Sequence, residues 1–173
     1  MAAPVVTTAR WVEPLTGYAR LDVDTSFSVE ANVYGAGYVL RNSTGVILFA
    51  GSWPNVKAQS VGQAELKAIG IGLQLVQDIG LNQIVVYSDA QCEVSKLNSS
   101  VILINEDGFL VEEITQQCRC LNVLSIRYMS RSCNTVTHAL ARHALSISSP
   151  CIWSALDGFL SLIQTALADV PIY

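Results

Sequence analysis

The sequence predicts an α/β domain: a mixed five-stranded sheet, three antiparallel strands followed by two crossover-linked strands, flanked by helices. Three observations predict it. Three extended apolar runs follow one another early in the chain, two of them joined by a tight-turn sequence. One long amphipathic pattern then leads into a short, continuous β-branched run, IVVYS at 84–88. A fifth run, NVLSIRYM at 122–129, has helical patterns on both sides. Short turns join antiparallel neighbours, whereas strands separated by a helix run parallel. The element order is therefore β-β-β-α-β-α-α-β-α.

In the first strand, LDVDTSF, Leu21, Val23, Thr25 and Phe27 point one way, and Asp22, Asp24 and Ser26 the other. GAGYVLRN and VILFAGSW follow, joined by NSTG, a turn signature. Ser60 and Gln63 fit a capping box at the start of the long helix, and Gly80 fits the position past its end. Gln63, Lys67, Gln74 and Asp78 form a polar stripe at helical spacing, leaving Leu66, Ile69, Leu73 and Val76, with Ile71 and Leu75 flanking, for the apolar side. IVVYS reads as a strand buried on both faces. A helix is predicted over about 90–98 and another from near Asn105, whose amide caps it while Glu106 and Asp107 complement its dipole. The last helix lies in NTVTHALARHALS, with Asn134 as its candidate cap.

Composition limits the function. The 173 residues are 51% apolar and 14% charged, which excludes a disordered chain. The net charge of −4 means that any nucleic-acid role rests on a local site rather than bulk charge. No signal peptide and no membrane span is read, so the expectation is an intracellular protein, nuclear or cytoplasmic, with no membrane partner and acting as a monomer. The five cysteines lack zinc-type spacing and read as reduced, buried thiols. Residues 1–17 read as a lead-in arm, 18–147 as the domain, and 148–173 as an apolar tail packing on it.

Three carboxylates carry the functional reading. Glu65 is two residues, roughly 200° of helix, from Lys67, and so falls on the buried face. A lone buried carboxylate needs a partner charge or a metal. Asp24 lies mid-strand, and Asp89 ends the buried strand IVVYS, where chemistry often sits in α/β sheets. Converging, the three suit hard divalent cations. Singly, each has a plainer reading: Asp89 as a cap of the following helix, Asp24 as a solvated residue beside Asp22. GAG at 35–37 precedes a strand rather than a helix, so its glycines serve close approach of strands or a ligand backbone rather than dinucleotide binding.

These motifs together resemble the ribonuclease H-like domain, in the plant branch related to the ribonuclease H segment of non-LTR retrotransposon reverse transcriptases. The resemblance runs from about Trp11 to Leu145, through W-x-x-P-x-x-G before LDVDTSF, GAGYVLRNSTGVILFAGS, AELKAIGIGLQLVQDIGLNQIVVYSDA and RSCNTVTHALARHAL, with an echo in FLSLIQTALADV. It implies an endonuclease that cleaves the RNA strand of RNA–DNA hybrids with Mg²⁺ or Mn²⁺ held by Asp24, Glu65 and Asp89. His138 stands at the fourth position, where nuclease members carry Asp. It reads either as a weak fourth ligand, since Mg²⁺ prefers oxygen, or as a tolerated helix-end residue. Thr25 replaces the usual Gly after the first Asp, and the loop histidine of some members is missing. Ser26, Gln63, Ala90, Arg131 and Asn134 are the expected substrate contacts, and Lys57, Arg127, Arg131 and Arg142 could hold phosphates. Two alternatives stay open: a catalytically weakened nucleic-acid-binding module of the same fold, and an interaction scaffold using Trp153, Phe159, Leu160 and Leu162 of the tail.

Overall fold

The computed structural model describes residues 12–101 and 103–154. The start of the lead-in arm, Trp11 included, and the tail residues Phe159, Leu160 and Leu162 lie outside the described residues. Strands β1 (Ala19–Ser28), β2 (Val33–Arg41) and β3 (Ile47–Val56) form the antiparallel meander. Helix α1 (Val61–Asp78) leads to β4 (Ile84–Ser88), which lies parallel to β1. Helices α2 (Gln91–Asn98) and α3 (Glu106–Cys120) lead to β5 (Ser125–Tyr128), parallel to β4. A short 3-10 turn (Arg131–Cys133) precedes α4 (Thr135–Ala144).

The sheet has six strands rather than five. Cys151–Ser154 forms β6, antiparallel to β3, giving the order β5-β4-β1-β2-β3-β6. Four residues provide too little alternation to mark a strand in sequence. β5 also starts later than the sequence suggests, because Asn122 takes φ 49° and turns the chain before the strand.

The local signals of α1 are met. The Ser60 side chain accepts from the Gln63 backbone N–H at 3.1 Å, and Gly80 takes φ 74° beyond the last turn. The capping box is shifted by one residue: Gln63 Oε1 accepts from the N–H of Gln59. Gln63 is therefore buried rather than part of the solvent stripe, while Gln74 and Asp78 are exposed. Asn105 accepts from Gly108 N–H at 3.1 Å and caps α3.

α1 covers one face of the sheet, burying Leu66, Ile69, Leu73 and Val76 against Leu21, Val23 and Ile84. A cavity at one such position, as in Leu73→Ala, would cost about 2–5 kcal/mol. α4 covers the opposite face, where Leu140 meets Val39 and Ala50. Its approach depends on the GAG glycines of β2. A Cβ at Gly37 would stand 2.1 Å from the Thr137 carbonyl oxygen, and one at Gly35 2.5 Å from that of Ala141. The glycines admit the backbone of α4, which is the close approach that sequence left unassigned.

The cysteines are free, but Cys92 and Cys120 are exposed and the other three half-buried, correcting the expectation of buried thiols. Cys118 and Cys133 pack against the rims of apolar clusters, while Cys92 and Cys120 stay at the surface. Among the described residues, no helix is long and apolar enough to cross a membrane.

Candidate metal centre

Parallel pairing of β1 and β4 brings Val23 opposite Ser88. The next residue on each chain, Asp24 and Asp89, therefore sits just beyond the end of β4. β1 continues to Ser28 with no strand beside it on that side. Carboxylates from both faces of the sheet can meet in this notch. Glu65 enters from the second turn of α1, and oxygens of Asp24, Glu65 and Asp89 lie within 4.8 Å of one another.

The notch disfavours negative charge. Burial pushes the Glu65 carboxyl up to about 8; the hydrogen bond from Thr25 opposes the rise, while the charges of Asp24, Asp89 and Glu93 add to it. Burial, then the Asp89 charge, pushes Asp24 up to about 6, against bonds from His138 and the Thr25 N–H. Thr25 Oγ1 donates to Glu65 Oε1 at 2.5 Å, and Thr25 N–H donates to Asp24 Oδ1 at 2.8 Å. The residue in place of the usual Gly thus holds two of the three carboxylates. Glu65 Oε2 is buried with no hydrogen-bond partner. A buried acceptor without a partner is costly, and a cation among three carboxylates would satisfy it. The donor set, all carboxylate oxygen, fits a hard divalent ion.

The plainer readings of Asp24 and Asp89 are not met: Asp24 is buried rather than solvated. Asp22 is buried, bonded to Arg20 at 2.6 Å and Arg41 at 2.9 Å, with Arg20 stacked 3.9 Å from the Tyr87 ring centroid. Its charge is thereby matched away from Asp24. The Asp89 side chain makes no cap bond to α2; Arg131 Nε donates to its Oδ2 at 3.1 Å.

His138 closes the first turn of α4, its N–H donating to the Asn134 carbonyl. The ring Nδ1 lies 2.8 Å from Asp24 Oδ2, and the side chain is 43% exposed. It joins the centre through Asp24 and stands outside the three-carboxylate group.

The expected substrate contacts divide. Ser26 is half-buried two residues beyond Asp24, and Ala90 is half-buried beside Asp89, its N–H donating to Ser88 Oγ. Arg131 is exposed but paired with Asp89. Gln63 departs from its expected role: it is buried and holds Gln59 and Glu106, so it joins the starts of α1 and α3. Asn134 departs as well. It is 1% exposed, its side chain makes no cap bond, and its Nδ2 donates to the Val23 carbonyl at 3.1 Å. It ties the start of α4 to the residue before Asp24. Lys57 and Arg142 are exposed, and Arg127 bonds Ser125 and Tyr87.

A mixed sheet in this order, with α1 and α4 on opposite faces and acidic residues gathered at the end of β4, defines a ribonuclease H-like domain. The model of the family described as reverse transcriptase-like matches residues 22–144, and the chain belongs to that family. Solved structures share the fold. The RNase H1 of the halophilic archaeon Halobacterium salinarum NRC-1 is similar at TM-score 0.62 and 23% identity, over 75% of this chain and 98% of that one. LC11-RNase H1 in complex with an RNA/DNA hybrid is similar at TM-score 0.65 and 16% identity, over 74% and 96%. A foamy viral protease-reverse transcriptase in complex with an RNA/DNA hybrid is similar at TM-score 0.59 and 12% identity, over 83% of this chain and 22% of that one. No curated protein matches the chain.

Proposed function

We propose that the domain is a metal-dependent endonuclease acting on the RNA strand of RNA–DNA hybrids. The observation that carries this reading is the convergence of Asp24, Glu65 and Asp89 from three separate elements, with Glu65 Oε2 buried and unpartnered. The hybrids held by the LC11 and foamy viral structures support the substrate class. The motif RSCNTVTHALARHAL, in which His138 stands, supports the plant branch.

Asp24, Glu65 and Asp89 would hold the ion, Mg²⁺ or Mn²⁺, with His138 as a fourth group bordering Asp24. A bound divalent ion supplies positive charge against the phosphate in an in-line displacement and activates the attacking water. The residues of the chain prepare that site. Thr25 fixes one oxygen each of Glu65 and Asp24, which leaves Glu65 Oε2 unpartnered and Asp24 Oδ2 beside His138. Arg131, exposed and only 3.1 Å from Asp89, can turn its guanidinium to an incoming phosphate. Ser26 and the backbone at Ala90 flank the carboxylates where 2′-hydroxyls of the RNA strand would pass.

A second reading has its own observation. His138 on Asp24 and Arg131 on Asp89 each set a cationic or neutral partner where a metal would compete. They favour a hybrid-binding module with weakened turnover. Cleavage of an end-labelled hybrid in Mg²⁺ and in Mn²⁺, beside hybrid binding in chelator, separates the two. Metal-dependent cleavage lost in Asp24→Asn supports the nuclease; binding without cleavage supports the module.

A further inference from the structure

We propose that Thr25 sets which divalent ion the centre takes: its hydroxyl confines Glu65 to one free oxygen and so favours Mg²⁺ or Mn²⁺ over Ca²⁺. This role rests on the divalent-ion reading of Asp24, Glu65 and Asp89. Thr25 is a positioning residue, acting on the ion through Glu65.

The strand and the helix bring the two side chains together. Successive side chains of a strand alternate between faces, so Thr25 shares the α1 face of β1 with Leu21 and Val23, which pack under α1. Glu65 comes down on that face from the second turn of α1. Both residues are buried, and Thr25 Oγ1 donates to Glu65 Oε1 at 2.5 Å. Among the described residues no other donor reaches either oxygen of Glu65. Branching at Cβ restricts the Thr25 side chain to few rotamers, which holds the hydroxyl on its target.

The other two carboxylates are limited differently. Asp24 Oδ1 accepts from the Thr25 backbone N–H at 2.8 Å, a donor that nearly any residue at position 25 would supply. Asp89 Oδ2 accepts from Arg131, whose side chain is 86% exposed and free to swing away. The Thr25 hydroxyl is the buried side-chain donor, and removing it would let Glu65 offer both oxygens to one ion.

Ions differ in what they ask of a carboxylate. Ca²⁺ takes about six to eight oxygens and accepts carboxylates through both, whereas Mg²⁺ needs a near-octahedral set and keeps several waters. One free oxygen on Glu65 suits Mg²⁺ and leaves Ca²⁺ short. For Ca²⁺ to gain the second oxygen, the Thr25 bond must break and strand a buried hydroxyl.

The test measures Ca²⁺ and Mg²⁺ affinities of the full chain at pH 8, without substrate, by competition against Mn²⁺ followed through its EPR signal. Thr25→Val keeps the branched shape and removes the donor. It should raise the Ca²⁺:Mg²⁺ affinity ratio about fivefold, the worth of one hydrogen bond. Thr25→Ala, a second hydroxyl-free variant, should do the same, and Thr25→Ser should keep the wild-type ratio. A purely structural role would lower the melting temperature of the Val and Ala variants without moving the ratio. An unchanged ratio in folded Thr25→Val and Thr25→Ala, or an equal rise in Thr25→Ser, would overturn the proposal and leave the ion centre standing. A wild-type chain that retains no Mn²⁺ would overturn the centre and this role with it.

Discussion

His138 Nδ1 stands 2.8 Å from Asp24 Oδ2, so the helix that closes the domain borders the carboxylate on its central strand. An imidazole here adds no negative charge to the centre, and its nitrogen suits Mn²⁺ better than Mg²⁺. His138→Asp should raise Mg²⁺-dependent hybrid cleavage and lower the Mn²⁺:Mg²⁺ rate ratio. An Asp near the start of α4 suits the helix dipole, but beside Asp24 it adds like charge, so the melting temperature should hold with divalent ion present and fall in chelator. A folded His138→Asp protein inert in both metals would favour the binding module.

Without divalent ion, stability should fall as pH rises. Glu65 and Asp24 are raised in the folded protein to about 8 and about 6, from 4.5 and 3.8. Between the unfolded and folded values the native state holds more protons than the unfolded state, so the slope of stability against pH is negative. The contribution is complete below about pH 4 and is lost by about pH 8. Urea melts in chelator across that range check it. A stability that rises toward pH 8 would contradict the burial of these groups as described.

Asp24→Asn should make the metal-free protein more stable at pH 8, on the order of 1–3 kcal/mol. The amide keeps an acceptor for the Thr25 N–H while removing charge crowded by Asp89. Chemical denaturation measures this directly. Marked destabilisation would mean that Asp24 serves the fold rather than the ion.

Gly37→Ala should separate α4 from the sheet. Its Cβ would meet the Thr137 carbonyl oxygen at 2.1 Å, and backbone must move to relieve it. A loss of about 1–3 kcal/mol is expected, with the His138 ring signals losing their dependence on Asp24. The Thr25–Glu65 bond lies on the other side of β1 and should persist.

Much of this arrangement is legible in sequence because it has a local period. The cap at Ser60, the stop at Gly80 and the inward turn of Glu65 follow from helical spacing, and the buried strand IVVYS from its unbroken apolar run. What escapes the sequence are bonds between distant residues. Asn134 reads as a cap, yet its amide is drawn to Val23, 111 residues away, because the GAG glycines bring α4 onto the sheet. Asp24 taken singly reads as a solvated residue beside Asp22, because sequence does not show Arg20 and Arg41 closing on Asp22 and so separating its charge from Asp24. Thr25 reads as a departure from the family; only the position of α1 shows its hydroxyl on Glu65.

The claim that the three carboxylates form a divalent-ion centre is tested most directly by the Mn²⁺-induced shift in melting temperature at pH 8. Wild type and Lys67→Gln should be stabilised alike, since Lys67 lies on the far side of α1 from Glu65, its ammonium donating to the Lys57 carbonyl. Glu65→Gln should keep the fold and lose most of the shift. Equal shifts in Glu65→Gln and Lys67→Gln, or no shift in wild type, would contradict the account.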